Sequence, residues 1–165
     1  MFGKQKRMSK NEENRITIFA PLNGETIKLS QVDDPAFSEG LLGNGIAIRP
    51  SGNRVVSPVK GTVTQMFDTS HAVVITSEDG AEVLIHIGMD TVKLKGEHFT
   101  QHARSGDAVE PGSLLLEFDR EAIESAGYDT VSPVVICNSD DFGDFETETG
   151  ISVSEGDAII HINKK

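Results

Sequence analysis

Apolar residues fall in short runs along this chain, many of them rich in Val and Ile and broken by Gly, Pro, Asn or Asp, and that pattern predicts strands. The runs Arg15–Ala20, Glu25–Leu29, Gly45–Arg49, Arg54–Val56, Gly61–Phe67, His71–Thr76, Glu82–Ile87, Ser113–Phe118, Ser132–Cys137 and Ala158–Ile162 read this way. One helix is signalled, with Asp119 as N-cap, Arg120–Ala126 as body and Gly127 as its stop; Pro35–Gly40 adds at most a helical turn. Strands do not alternate with long helices, which argues against a parallel nucleotide-binding sheet. The expected architecture is all-β: an antiparallel sandwich or barrel-like form with one or two short helices.

Within this pattern two histidines flank one hairpin. His71-Ala-Val-Val-Ile-Thr is followed by Ser77-Glu-Asp-Gly80 and then by Ala81-Glu-Val-Leu-Ile-His86. Asp-Gly is a strong hairpin turn signal. A four-residue loop closed by Thr76 and Ala81 sets His71 directly opposite His86, and a two-residue Asp79-Gly80 loop makes the two diagonal neighbours. In either register both imidazoles share one face, with Cβ atoms about 5 Å or about 7–8 Å apart.

Composition narrows the setting. At 165 residues one domain is expected, large enough to bury roughly 70% of its unfolded surface without staples. Cys137 is the only cysteine, which rules out an intramolecular disulfide and fits a reducing compartment. It follows an apolar run and reads as a buried small side chain. The net charge of -11 argues against a general nucleic-acid binder. Residues 1–14 are polar and read as a disordered tail without a secretion signal, and residues 15–165 as the single domain.

The histidine pair suits three chemistries: phosphoryl transfer through phosphohistidine, metal binding with further ligands, or acid–base catalysis. His98 and His102 lie in a polar stretch and read as solvated loop residues, and His161 reads as a sheet residue. Segments such as Ser105-Gly-Asp-Ala-Val-Glu-Pro-Gly and Ser154-Glu-Gly-Asp-Ala also occur in biotinyl and lipoyl carriers. No lysine stands at a hairpin tip here, so these turns read as architecture. There is no Walker A loop, no Gly-x-Gly-x-x-Gly after a strand, no His-Glu-x-x-His and no Gly-x-Ser-x-Gly.

Gly80-Ala-Glu-Val-Leu-Ile-His86-Ile-Gly-Met-Asp-Thr-Val92 closely resembles the signature of the glucose-type IIA component of the bacterial phosphoenolpyruvate-dependent sugar phosphotransferase system. The likeness includes Ile18-Phe-Ala-Pro-Leu-Asn-Gly24, Gly43-Asn-Gly-Ile-Ala-Ile-Arg-Pro50, Pro58-Val-Lys-Gly-Thr-Val63, Phe67-Asp-Thr-Ser-His71 and Pro133-Val-Val-Ile136, and covers residues 15–163. It implies an antiparallel β-sandwich built on a duplicated hybrid motif, with a shallow depression holding both histidines. It implies His86 as phosphoryl acceptor, His71 as the partner steadying the phosphoryl group, and Thr69 as the residue orienting the imidazole. The implied donor is the histidine phosphocarrier protein HPr. The implied acceptor is a cysteine on the IIB domain of a membrane sugar permease, served by a free-standing cytoplasmic protein, monomeric and transiently at the inner face of the membrane. Phe37, Leu42, Phe67, Leu84 and Val92 match an apolar docking ring, Gly88 allows close approach, and Asp34 and Asp90 match acidic positions that meet an arginine of the phosphocarrier.

No cofactor is required on this reading; a regulatory zinc ion at His71 and His86, completed by a partner's carboxylate, is left open. Two rivals stand beside it. One is a regulatory module that binds proteins according to its phosphorylation state. The other is a zinc peptidase of lysostaphin type, which needs a His-x-His pair where this chain has His86-Ile-Gly88.

Overall fold

The computed structural model describes residues 14–165, so the predicted tail, apart from Asn14, lies outside the described residues. The chain runs β1 (Arg15–Phe19), β2 (Gly24–Lys28), α1 (Pro35–Ser38), β3 (Asn44–Pro50), β4 (Arg54–Val56), β5 (Gly61–Met66), β6 (Ala72–Ser77) and β7 (Glu82–His86). It continues through β8 (Phe99–Gln101), β9 (Ala108–Val109), β10 (Leu114–Phe118), α2 (Arg120–Ser125), β11 (Ser132–Ile136), β12 (Phe142–Thr147), β13 (Ser152–Val153) and β14 (Ala158–Lys164). All the strand pairings are antiparallel. An eight-stranded sheet, ordered β13-β2-β3-β11-β7-β6-β5-β9, is joined by two three-stranded sheets, β1-β14-β12 and β4-β10-β8. The large sheet ends in open edges at β13 and β9, so the architecture is a sandwich and not a closed barrel.

The main core is made of alternate residues from all three sheets. Ile46 and Ile48, Val73 and Ile75, Val83 and Ile85, and Val134 and Ile136 supply the large sheet; Ile16, Ile18, Leu116, Phe118, Ile160 and Ile162 supply the small ones. The other face of the large sheet carries a second, smaller cluster: Ile27, Ala47, Ala72, Leu84 and Val135 from the strands, with Leu29, Val32, Phe37, Met89 and Val131 from the connections. The central strands are thus buried on both faces, which is why β11 (Ser-Pro-Val-Val-Ile) is buried throughout and shows no apolar–polar alternation.

The helices follow their caps. Asp119 Oδ1 accepts from Ala122 N at 3.1 Å, and α2 stops before Gly127, which lies at φ +97°. Asp34 caps α1 in the same way, accepting from Ala36 N at 2.9 Å. The two carrier-like turns are architectural and alike: Arg104 N donates to Asp107 Oδ2 at 2.9 Å and Ser154 N to Asp157 Oδ2 at 2.8 Å, with Gly106 and Gly156 both at positive φ.

The structure corrects the hairpin register. The hairpin of β6 and β7 is closed by Ser77 and Ala81, with Ser77 N donating to Ala81 O at 2.8 Å, so its loop holds three residues, Glu78-Asp79-Gly80, with Gly80 at φ +89°. A three-residue loop with a left-handed third residue falls between the two expected geometries. Ala72, not His71, therefore pairs with His86. Strict alternation would turn His71 to the main-core side.

Cys137 is also not where the sequence suggested: it is exposed, because β11 ends at Ile136 and the next residue leaves the sheet. Four strands that the pattern does not announce, β8, β9, β12 and β13, complete the sheets.

Candidate functional site

His86 ends β7 in the middle of the large sheet, on the face of the smaller cluster beside Leu84. His71 stands one residue before β6, directly after Ser70, which has φ 62°. This break in the pleat, rather than the ladder register, brings the two imidazoles together. Their centroids are 4.9 Å apart and nearly perpendicular, at 87°. Ala72, opposite His86, carries only a methyl group and leaves room for a second ring. Phe37 packs on His86 at 5.1 Å between centroids, and Phe67 on His71 at 5.6 Å.

Hydrogen bonds fix both rings. His86 Nδ1 lies 2.8 Å from the carbonyl oxygen of Gly88. A carbonyl only accepts, so Nδ1 carries the hydrogen and Nε2 keeps its lone pair. Gly88 has φ +78°, and a Cβ there would meet Thr91 Cγ2 at 2.6 Å and Asp129 O at 2.8 Å. Met89 N donates to Asp129 O at 2.9 Å and the buried Thr91 hydroxyl to Ile87 O, so the Gly88 carbonyl is held on both sides. Thr69 Oγ1 lies 2.5 Å from His71 Nδ1. With the hydroxyl donating, Nε2 of His71 carries a hydrogen that it can offer to an anion.

Both rings are poised to be neutral at pH 7. Burial, and secondarily the neighbouring His86, push the His71 pKa from 6.5 to about 4. Burial also lowers the His86 pKa, opposed by the Gly88 carbonyl and by the charges of Asp34 and Asp90. A histidine whose folded pKa is depressed contributes stability above its unfolded pKa, and that contribution is lost as pH falls toward the folded value. Wild type should therefore lose up to about 3 kcal/mol from His71 alone between pH 6.5 and 4. Denaturant melts across that range check this: His71→Gln should lose correspondingly less, and equal losses in the two proteins would contradict it.

The expected docking residues divide by depth. Leu42 and Val92 are exposed, at 41% and 48%, and Phe67 is half-buried. Phe37 and Leu84 are buried, at 3% and 8%, as is Gly88, so these three seat the histidines from beneath instead of forming the rim. Asp34 is half-buried and Asp90 exposed. The other histidines are held elsewhere: His161 Nδ1 by Thr17 at 3.1 Å, His102 Nε2 by Glu117 at 2.7 Å, and the His98 carbonyl by Asp119 N at 2.9 Å. Among the described residues no group of three His, Cys, Asp or Glu side chains is placed to hold a metal ion. His71 and His86 are at most two of the three or four ligands a zinc ion needs, so these residues alone do not make a zinc site. The sequence reading missed Thr91 and Gln101. Neither gave a signal of its own: Thr91 is buried between two exposed neighbours, Asp90 and Val92, and Gln101 lies in a polar stretch.

The fold is that of a sugar phosphotransferase IIA domain. The solved structure of glucose permease IIA from Mycoplasma capricolum superposes with a TM-score of 0.80 and 31% identity, covering 89% of this chain and 95% of that one. Residues 16–142 match the family described as phosphoenolpyruvate-dependent sugar phosphotransferase system, EIIA 1, and the chain belongs to that family. Two relatives place it further. The beta-glucoside-specific EIIBCA component of Dickeya chrysanthemi is 56% identical over 126 residues, 76% of this chain. The glucose-specific EIIA component of Halalkalibacterium halodurans is 42% identical over 160 residues, covering 95% of this chain and 92% of the relative. The chain spans only about a fifth of the length of the EIIBCA relative (20%).

Proposed function

We propose that Nε2 of His86 takes a phosphoryl group from phosphorylated HPr and passes it to the cysteine of a IIB domain of a membrane sugar permease. The observation that carries this reading is the Nδ1–Gly88 contact, which leaves a neutral imidazole with its lone pair on Nε2. In the first step the N–P bond of the donor breaks as the bond from His86 Nε2 to phosphorus forms; in the second that bond breaks as a sulfur–phosphorus bond forms. His71, held by Thr69, offers its Nε2 hydrogen to the phosphoryl oxygens as charge builds on them. Leu42, Phe67 and Val92 exclude water at docking, and Asp34 and Asp90 attract a cationic side chain of the donor. The step uses no metal or other cofactor.

The acceptor is best sought among beta-glucoside-type IIB domains, because the relatives at 56% and 52% identity are beta-glucoside-specific EIIBCA components. The reading has the domain act as a monomer at the cytoplasmic face of the membrane, where the IIB domain would be met. Among the described residues no helix is long and apolar enough to cross a membrane.

Reconstitution tests the reading. Phosphoenolpyruvate, the first enzyme of the system and HPr should label the protein, and the label should discharge to a beta-glucoside-type IIB domain. His71→Gln should accept label at near wild-type yield but discharge on the order of a hundredfold more slowly, as expected for loss of one donor to a developing oxyanion. Discharge of His71→Gln at the wild-type rate would remove His71 from the mechanism.

A further inference from the structure

The turn that carries Thr69 and His71 is held from outside its own hairpin. Gln101 ends β8, which belongs to the small sheet β4-β10-β8. Its Nε2 donates to the carbonyl oxygen of Phe67 at 3.0 Å and to Ser70 Oγ at 2.9 Å. Phe67 O is an acceptor only, so the amide must point its nitrogen toward the turn. The Gln101 backbone is fixed in turn, since Gln101 pairs with Leu116 of β10 and His102 N donates to Leu115 O at 2.9 Å.

This support has something to resist. Ser70 is one of four non-glycine residues at positive φ among the described residues, at 62°, and its side chain is buried. A left-handed L-residue costs roughly 1–2 kcal/mol and persists only where its surroundings hold it. Were Ser70 to relax into the extended region, the chain would return to regular alternation, and alternation carries His71 away from His86. Three groups of the site depend on this one bend: Phe67 against the His71 ring, Thr69 on its Nδ1, and His71 itself.

We infer that Gln101 is a positioning residue for phosphoryl discharge: its carboxamide clamps the 67–70 turn in the left-handed bend that presents His71 to His86. The inference rests on the proposed role of His71. It names a group on the second sheet that touches neither imidazole and acts only through the turn.

Gln101→Glu tests it, because glutamate keeps the size and removes both donors. Each hydrogen bond of this kind is worth about a factor of five. Transfer from labelled protein to the IIB domain should slow about five- to tenfold, labelling by HPr should stay within about twofold, and the thermal midpoint should fall by no more than several degrees, leaving the protein folded at the assay temperature. The His71 ring signals in 15N–1H spectra should move, because the Thr69–His71 geometry loosens. Adding Ser70→Gly, which adopts the bend without strain, should restore both rate and spectrum. Wild-type discharge and an unmoved His71 spectrum in Gln101→Glu, or no recovery with Ser70→Gly, would overturn the clamp. Failure of the proposed His71 role shows separately, as normal discharge by His71→Gln while the His71 spectrum of Gln101→Glu still reports on the turn.

Discussion

Replacing His86 by Gln is expected to reduce phosphoryl labelling to background, a fall of more than ~10³-fold, with the fold intact. The argument is atomic. A glutamine side chain fills much of the imidazole volume, so packing against Phe37 and the end of β7 are preserved. What disappears is the lone pair of a neutral ring nitrogen, and no neighbour replaces it. The Nδ1 of His71 is taken by Thr69, and with the hydroxyl donating its Nε2 carries the hydrogen, so that ring offers no free lone pair. Loss of a nucleophile cannot be offset by the binding energy of the partner, which is why the expected effect is so large. Radiolabel transferred from phosphoenolpyruvate through HPr measures it, and an unchanged thermal midpoint shows that chemistry rather than folding was lost.

Gly88→Ala should damage both stability and chemistry by adding a single methyl group. At φ +78° a side chain costs roughly 1–2 kcal/mol in backbone conformation. The new Cβ would also sit 2.6 Å from Thr91 Cγ2 and 2.8 Å from Asp129 O, and neither is the free end of a flexible chain. Thr91 is fully buried with its hydroxyl on Ile87 O, and the Asp129 carbonyl already accepts from Met89 N. Strain and overpacking together should cost about 3 kcal/mol or more. The chemistry should suffer beyond that, since the Gly88 carbonyl that assigns the hydrogen to His86 Nδ1 must move. Urea melts would show the first effect. The second would appear as labelling slowed on the order of tenfold or more under conditions where the variant is fully folded, as expected when a fixed hydrogen-bond geometry is lost. Wild-type stability and rate in Gly88→Ala would show that the glycine is not needed there.

The same residues show what a sequence discloses of such a site. Central strands were legible because burial on both faces leaves Val- and Ile-rich runs; β7 and β11 differ from their predicted spans by one residue each. The four strands that went unseen are all edge strands: β9 and β13 bound the large sheet, and β8 and β12 bound the small ones. Edges are short, polar or bulged, as with the register shift between Phe142 and Phe145 in β12, and so carry little periodic signal. The histidine pairing was legible as proximity and illegible as geometry. Whether a hairpin loop holds two, three or four residues depends on where one left-handed glycine falls, and a single step reverses every face. The rings meet because Ser70 bends the chain, a conformation that a serine does not advertise. Gln101 was silent for a similar reason: its partners are a backbone carbonyl and a hydroxyl more than thirty residues away.

The arrangement divides labour between two layers. The main core between the sheets holds the fold, and the smaller cluster on the outer face of the large sheet holds the site. Phe37, Leu84 and Met89 desolvate the histidines from below, while Leu42 and Val92 remain open to a partner. On the proposed reading this places the neutral imidazole of His86 at a surface that a second protein can cover, so that water is excluded while the phosphoryl group is transferred.

The most direct measurement is the site of the phosphorus itself. The protein labelled with 15N and phosphorylated through HPr should show phosphorus coupling to Nε2 of His86, with Nδ1 of the same ring still protonated against Gly88. Coupling to Nδ1 of His86, or to either nitrogen of His71, would contradict the account.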